Sequence, residues 1–248
     1  MTIVEPTAAV DVDLVLLPQH LGYVELGTLV VLLHPLAAAV AALALDAGAT
    51  AVDFRATAPT LRLLDLLHNR APDVSGEIMV GDADMAHAVD LLVGDVEPDV
   101  PILAAGFLNS RPAAATIARF LDGRPDLTLL QLVCVGAGGS PSVDSVVAAG
   151  HLCRLLFEEC ERPLVLRDAA GMALSVASTF GNMADACATS ARAQLWLAHD
   201  DAPEGWAEDV RTAGERDVAG SVPMLVGTAF RAEVHEQSGA SAGAGHRA

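Results

Sequence analysis

Asp144, Asn109 and Cys134 are the residues whose types and positions could do chemistry together, and a run of glycines lies among them. Leu127 to Val135 is a near-continuous apolar run, the pattern of a strand covered on both faces. Gly136, Gly138 and Gly139 break it. Ser140-Pro141 then offers an N-cap followed by proline at the first helical position, where a missing N–H costs nothing. Backbone N–H groups at such a turn, with the positive end of the helix dipole, suit phosphate, sulfonate or carboxylate. Asp144 falls in the first turn of the next helix, where it can ligate Mg2+ beside a bound phosphate or simply favour the dipole. Asn109 and Arg111 close the preceding strand-turn unit and can point into the same crevice, although a solvated surface arginine is an equal reading of Arg111. Cys134 ends the strand at the edge where open α/β sheets place ligands. No basic neighbour lowers its pKa, so a buried structural thiol is the preferred reading.

Two weaker constellations remain. Asp82, Asp84 and His87 could hold a metal at a strand end, but Asp84 is also a good N-cap and Asp82 a good turn residue. Gly136-x-Gly138-x-x-Pro141 lacks the third glycine of the dinucleotide fingerprint. Asp168 becomes a ribose ligand only if Leu164 to Leu166 is a strand.

Composition narrows the classes. The chain has 248 residues, a formal net charge of −18 and 52% hydrophobic residues. That charge disfavours nucleic acid and anionic membrane surfaces as partners. A small anionic molecule would need a pocket working against the overall field. All 14 basic residues are arginine, so phosphate-loop, kinase and Schiff-base lysines are excluded. Together with the alanine content this suggests a high-GC bacterial source. Cys134, Cys153, Cys160 and Cys187 show no paired spacing and read as reduced thiols of a cytoplasmic protein. Leu29 to Leu45 is apolar, yet His34-Pro35 interrupts it and no basic residues flank it, so it reads as strand then helix.

The elements that must position these residues alternate. Strands are expected at 12–17, 28–33, 50–54, 77–80 and 100–105. Helices follow from Pro35 to Gly48, from Pro59 to His68, over 84–93 and over 112–121. This is the signature of parallel βαβ construction. The glycine-turn helix runs to Cys160. After Arg162, residues 168–178, 182–199 and 204–213 read as helix, with one last strand at 221–226. The expectation is a three-layer α/β/α fold with a mostly parallel or mixed sheet and a helical C-terminal third. A single domain would span 1–235, with a disordered tail over 236–248.

Gly106-Phe107-Leu108-Asn109-Ser110, then Leu132-Val133-Cys134-Val135-Gly136, Ser142-Val143-Asp144 and Ala149-Gly150 resemble the 2-phosphosulfolactate phosphatase family in order and spacing. Val12 to Pro18 and Arg216-Asp217-Val218 through Val222-Pro223 resemble its two ends. The resemblance implies a homodimeric hydrolase that uses Mg2+ on the phosphate ester of a small anionic acid. Asn109, Cys134 and Asp144 carry over as catalytic positions, and Asp144 with Glu77 as metal ligands. The departures are large. Leu32-Leu33-His34-Pro35-Leu36 has lost the family's aspartate and arginine, only Gly76-Glu77 remains of a glycine-rich segment, and two loops between Glu77 and Val100 are missing. The alternatives are a fold repurposed in bacterial biosynthesis for an elimination or cyclisation, and a binding protein without chemistry.

Overall fold

The computed structural model describes residues 8–68, 70–71, 74–198 and 205–233; the tail expected over 236–248 lies outside them. The expected glycine-turn unit is present. Leu129–Cys134 forms β6 and Val143–Glu159 forms α5. Beside β6 runs β2, Thr28–Leu33, whose six residues are all buried. Unbroken burial of branched and leucine side chains is what a covered parallel strand requires, and each such side chain contributes roughly 1.5–3 kcal/mol.

One nine-stranded sheet has the order β4-β3-β9-β8-β5-β2-β6-β1-β7. Its parallel members are β1 (Val10–Val15), β2, β3 (Ala49–Arg55), β4 (Gly76–Gly81), β5 (Ile102–Ala105), β6 and β7 (Leu164–Leu166). The segment 164–166 is thus a strand, placed at the sheet edge. The last expected strand is a hairpin, β8 (Pro223–Val226) and β9 (Ala229–Ala232), turning at Gly227 with φ 67°. It is antiparallel to both neighbours and meets each at a single pair, Leu103 with Met224 and Val52 with Phe230. The hairpin therefore splices two parallel blocks, β4-β3 and β5-β2-β6-β1-β7. Short-range periodicity carries no trace of such an insertion.

The helices lie on both sides of the sheet. In α1, Pro35–Asp46, all residues but the last are buried, which explains its run of alanines. His34 caps it, accepting from the Ala37 N–H at 3.0 Å, and Gly48 (φ 109°) follows the C-cap as expected. The helix expected from Pro59 shrinks to α2, Leu63–Leu67. In α3, Ala83–Asp95, the cap is Asp82 rather than Asp84. Helix α4 is Ser110–Gly123 and α6 is Asp168–Thr179. The expected helix over 182–199 is two, α7 (Met183–Ala188) and α8 (Ala191–Leu197), broken at Thr189-Ser190. Helix α9 is Trp206–Thr212.

Helices α5 and α6 touch through Gly150. A Cβ there would meet the Ala173 carbonyl oxygen at 2.1 Å, so only glycine permits this approach. Among the described residues no helix is long and apolar enough to cross a membrane.

Candidate functional site

The turn after β6 is a two-residue hairpin, not an open anion cradle. Ala137 and Ser140 exchange both backbone hydrogen bonds, at 2.8 and 3.0 Å. Gly138 and Gly139 between them have φ 55° and 75°, the left-handed pair that a type I′ turn requires. The Gly138 N–H donates to Asp84 Oδ1 at 3.0 Å. Of the expected amides, those of Gly138 and Ser140 are therefore already used, the first by a carboxylate of this chain. The cap of α5 is Ser142, not Ser140.

A side chain not singled out by its type or spacing fills the crevice. Arg192, on α8, is 2% exposed. Its Nε donates to Asp144 Oδ2 at 3.4 Å, its Nη1 to Asp84 Oδ2 at 3.3 Å, and its Nη2 to the Gly136 carbonyl. Asp144 Oδ1 accepts the Ser145 N–H at 2.8 Å. Next to this group His34 Nε2 lies 3.1 Å from Asp82 Oδ2, within ion-pair distance but outside hydrogen-bond geometry. Because His34 Nδ1 accepts from Ala37, the ring proton sits on Nε2 and faces the carboxylate. Burial alone would raise the Asp82 carboxyl; His34, Arg192 and the Met85 N–H outweigh it and hold it at about 2. An arginine in a short alanine-flanked helix was the only signal available for Arg192, and nothing in the sequence pairs it with residues 48 and 108 positions away.

The other expected site residues are dispersed or engaged. Asn109 is fully buried; its Oδ1 accepts the Gly106 N–H, and its Nδ2 donates to Ala104 and Ser221 carbonyls. It ties the end of β5 to the hairpin. Cys134 is fully buried, and burial first, then Asp144, pushes its thiol far above the usual range. No thiolate nucleophile forms there. Arg111 lies on the surface, 3.2 Å from Glu159 and 3.9 Å from Glu158. Glu77 is exposed on β4, five residues before Asp82 and so about 16 Å back along the strand. It does not share a site with Asp144. His87 is likewise exposed.

Mg2+ demands several oxygen donors in near-octahedral array. The oxygens of Asp84 and Asp144 that face the crevice already take N–H groups and a guanidinium. Among the described residues no three His, Cys, Asp or Glu side chains are grouped to hold a metal. The residues present do not fit the ion as the chain is folded here.

A second polar cluster lies between α4, α5 and the segment after α9. Arg154 Nη2 donates to His151 Nδ1 at 2.9 Å, and His151 Nε2 is 3.2 Å from Ser110 Oγ. Arginine only donates, so the imidazole proton sits on Nε2 and points at Ser110. Ser110 Oγ in turn donates to Asp217 Oδ1 at 2.8 Å. Burial, then Arg154, Arg216 and Arg111, lower the His151 pKa to about 4, so the ring is neutral near pH 7. The order of the protons runs from Arg154 to Asp217, and His151 is a donor to Ser110 rather than its base. Asp217 has φ 57° and also accepts the Arg111 N–H at 2.7 Å, capping α4 from outside the helix.

His151 and Arg154 of this series line a cavity of about 230 Å3, together with Arg216, Leu174, Phe180 and Met183. No carboxylate lines it. Arg216 and Asp217 also border an open depression toward Glu208 and Arg211. Arg119, Arg124 and Arg167 each meet a carboxylate, whereas Arg154 and Arg216 make no ion pair among the described residues.

No curated protein matches the chain. The family model described as 2-phosphosulpholactate phosphatase matches residues 94–228, more than half of the sequence. The match takes in Asn109, Cys134, the glycine turn, Asp144, His151, Arg154, Arg192, Arg216 and Asp217, and leaves out His34, Glu77, Asp82 and Asp84. The chain belongs to the 2-phosphosulpholactate phosphatase family.

Proposed function

We propose that the chain hydrolyses the phosphate ester of a small anionic acid, and that it does so in the arginine-lined cavity beside α5 rather than at the glycine turn. The observation carrying this reading is the pair Arg154 and Arg216, two cations without carboxylate partners among the described residues, lining one cavity in a chain of net charge −18. Phosphoryl transfer is mostly positioning and charge stabilisation around the equatorial oxygens. Two guanidinium forks match those oxygens. Leu174, Phe180 and Met183 would take the organic part.

Asp217 does not line this cavity; it follows Arg216, borders the adjoining open depression, and is held in place by the Ser110 hydroxyl and the Arg111 N–H. In the proposed step water attacks phosphorus, Asp217 takes its proton, the ester P–O bond breaks, and the proton passes to the departing alkoxide. Ser110 and His151 are positioning residues here. Ser110 is only 2% exposed and His151 4%, which also favours a second reading, binding of the same anion without turnover.

Phosphate release from p-nitrophenyl phosphate, with Mg2+ and with EDTA, tests the first reading. Turnover is expected to survive EDTA, to fall at least tenfold in Arg154→Ala and Arg216→Ala, and to vanish in Asp217→Asn. Background release from the native chain, alongside calorimetric binding of phenyl phosphate, would leave only the binding reading. Turnover that needs Mg2+ and Asp144 would return the chemistry to the glycine turn.

A further inference from the structure

We propose that the ester taken by the cavity beside α5 is the phosphate of a carboxylic acid with an aliphatic or aryl side chain, so that it carries two acidic groups and no third. The inference rests on the reaction proposed above for its phosphate end, and on the lining of the cavity for the rest. Leu174 and Ala177 come to the lining from α6, Phe180 from the C-cap of that helix and Met183 from the first residue of α7. Arg154 comes from α5 and Arg216 from the segment after α9. The cavity thus draws its apolar side chains and its cations from different elements.

A charged group in such a cavity needs donors. Among the described residues, the lining side chains with N–H or O–H groups are His151, Arg154, Ser178 and Arg216. Two of these are spent. His151 turns its Nε2 proton to Ser110 and accepts from Arg154 through Nδ1, and Ser178 donates its hydroxyl proton to the Ser175 carbonyl at 2.6 Å. The two guanidinium groups remain, and each fork matches one phosphate or carboxylate edge. Two acidic groups therefore find partners here. A third would lose water against apolar side chains with no donor to replace it, which costs affinity. The adjoining depression offers a third anion little, because Glu208, Glu215 and Asp217 border it along with Arg211. The cavity of about 230 Å3 also exceeds the roughly 150 Å3 in which an apolar cavity accepts benzene, so a side chain of that size fits.

Three phosphate esters separate these determinants. Phosphoglycolate has two acidic groups and no side chain, O-phosphomalate adds a third acidic group, and O-phospho-3-phenyllactate adds a ring instead. Measured by phosphate release, kcat/KM is expected to be at least ~30-fold higher for the phenyllactate ester than for phosphoglycolate, with O-phosphomalate the poorest of the three. Phe180→Ala and Leu174→Ala should each lower kcat/KM for the phenyllactate ester roughly tenfold and leave phosphoglycolate within about twofold, a split that general loss of structure does not produce. A malate ester turned over as well as the phenyllactate ester, or variants that affect all three esters alike, would overturn the side-chain assignment and leave hydrolysis standing. If no ester is hydrolysed, the reaction proposed above is lost, and calorimetric dissociation constants for the same three esters decide the inference: the same order upholds it, and equal or absent binding overturns it.

Discussion

The glycine-turn crevice and the cavity beside α5 are both built around arginines, and they use them in opposite ways. Arg192 is 2% exposed and donates to Asp144, Asp84 and the Gly136 carbonyl, all oxygens of this chain. Arg154 is exposed, donates to the neutral His151 ring and makes no ion pair among the described residues, and shares with Arg216 a cavity that no carboxylate lines. In a chain with 32 acidic and 14 basic residues, compensation is the default for a cation. The difference teaches that charge type alone does not mark a functional arginine; the absence of an internal partner does. A matched guanidinium closes a site, and an unmatched one leaves it available.

The sharpest way to break this contrast is to remove the matched cation. Arg192→Met is expected to destabilise the chain by about 3–5 kcal/mol, because the buried Asp144 and the half-buried Asp84 are left without this counter-charge. Urea unfolding at pH 7 without divalent ions measures it. A loss below about 1 kcal/mol would mean that the crevice is not charge-compensated at all. Next comes Gly150→Ala, which forces α5 and α6 apart beneath the open cavity; about 1–3 kcal/mol should be lost, read by the same unfolding experiment.

Acid should act on the two regions in separate windows. His151 has a folded pKa of about 4, below its unfolded value of 6.5. The unfolded chain therefore binds the extra proton, and stability is lost as pH falls from about 6.5 to 4. Asp82 is held at about 2 against 3.8 unfolded, so its contribution is present above pH 3.8 and is lost between there and 2. Urea midpoints against pH should show both limbs. His151→Gln should flatten only the first and Asp82→Asn only the second; a single limb insensitive to His151→Gln would refute the buried neutral ring. The smallest effect belongs to the unmatched cations. Arg154→Ala and Arg216→Ala should each move stability by no more than about 0.5 kcal/mol, while weakening phenyl phosphate binding in calorimetry.

The sequence alone determined the parallel α/β construction, the strand of residues 28–33, the capped alanine helix after it, and the strand-turn-helix unit around the glycines. Each of these is a local pattern of period two or 3.6, or a turn residue whose backbone preference acts over a few positions. The sequence also located Asp144 and the glycine turn, and family resemblance gave the segment from 106 to 150. Only the tertiary structure decided what those residues meet. Arg192 reaches Asp144 from 48 positions away, Asp84 takes the Gly138 amide from 54, and Asp217 takes the Ser110 hydroxyl from 107. Helix splitting at Thr189-Ser190 and the hairpin wedged between two parallel blocks depend on the same long-range packing. Electrostatic partners at such separations are set by how the layers close over one another, and no periodicity in the chain encodes them.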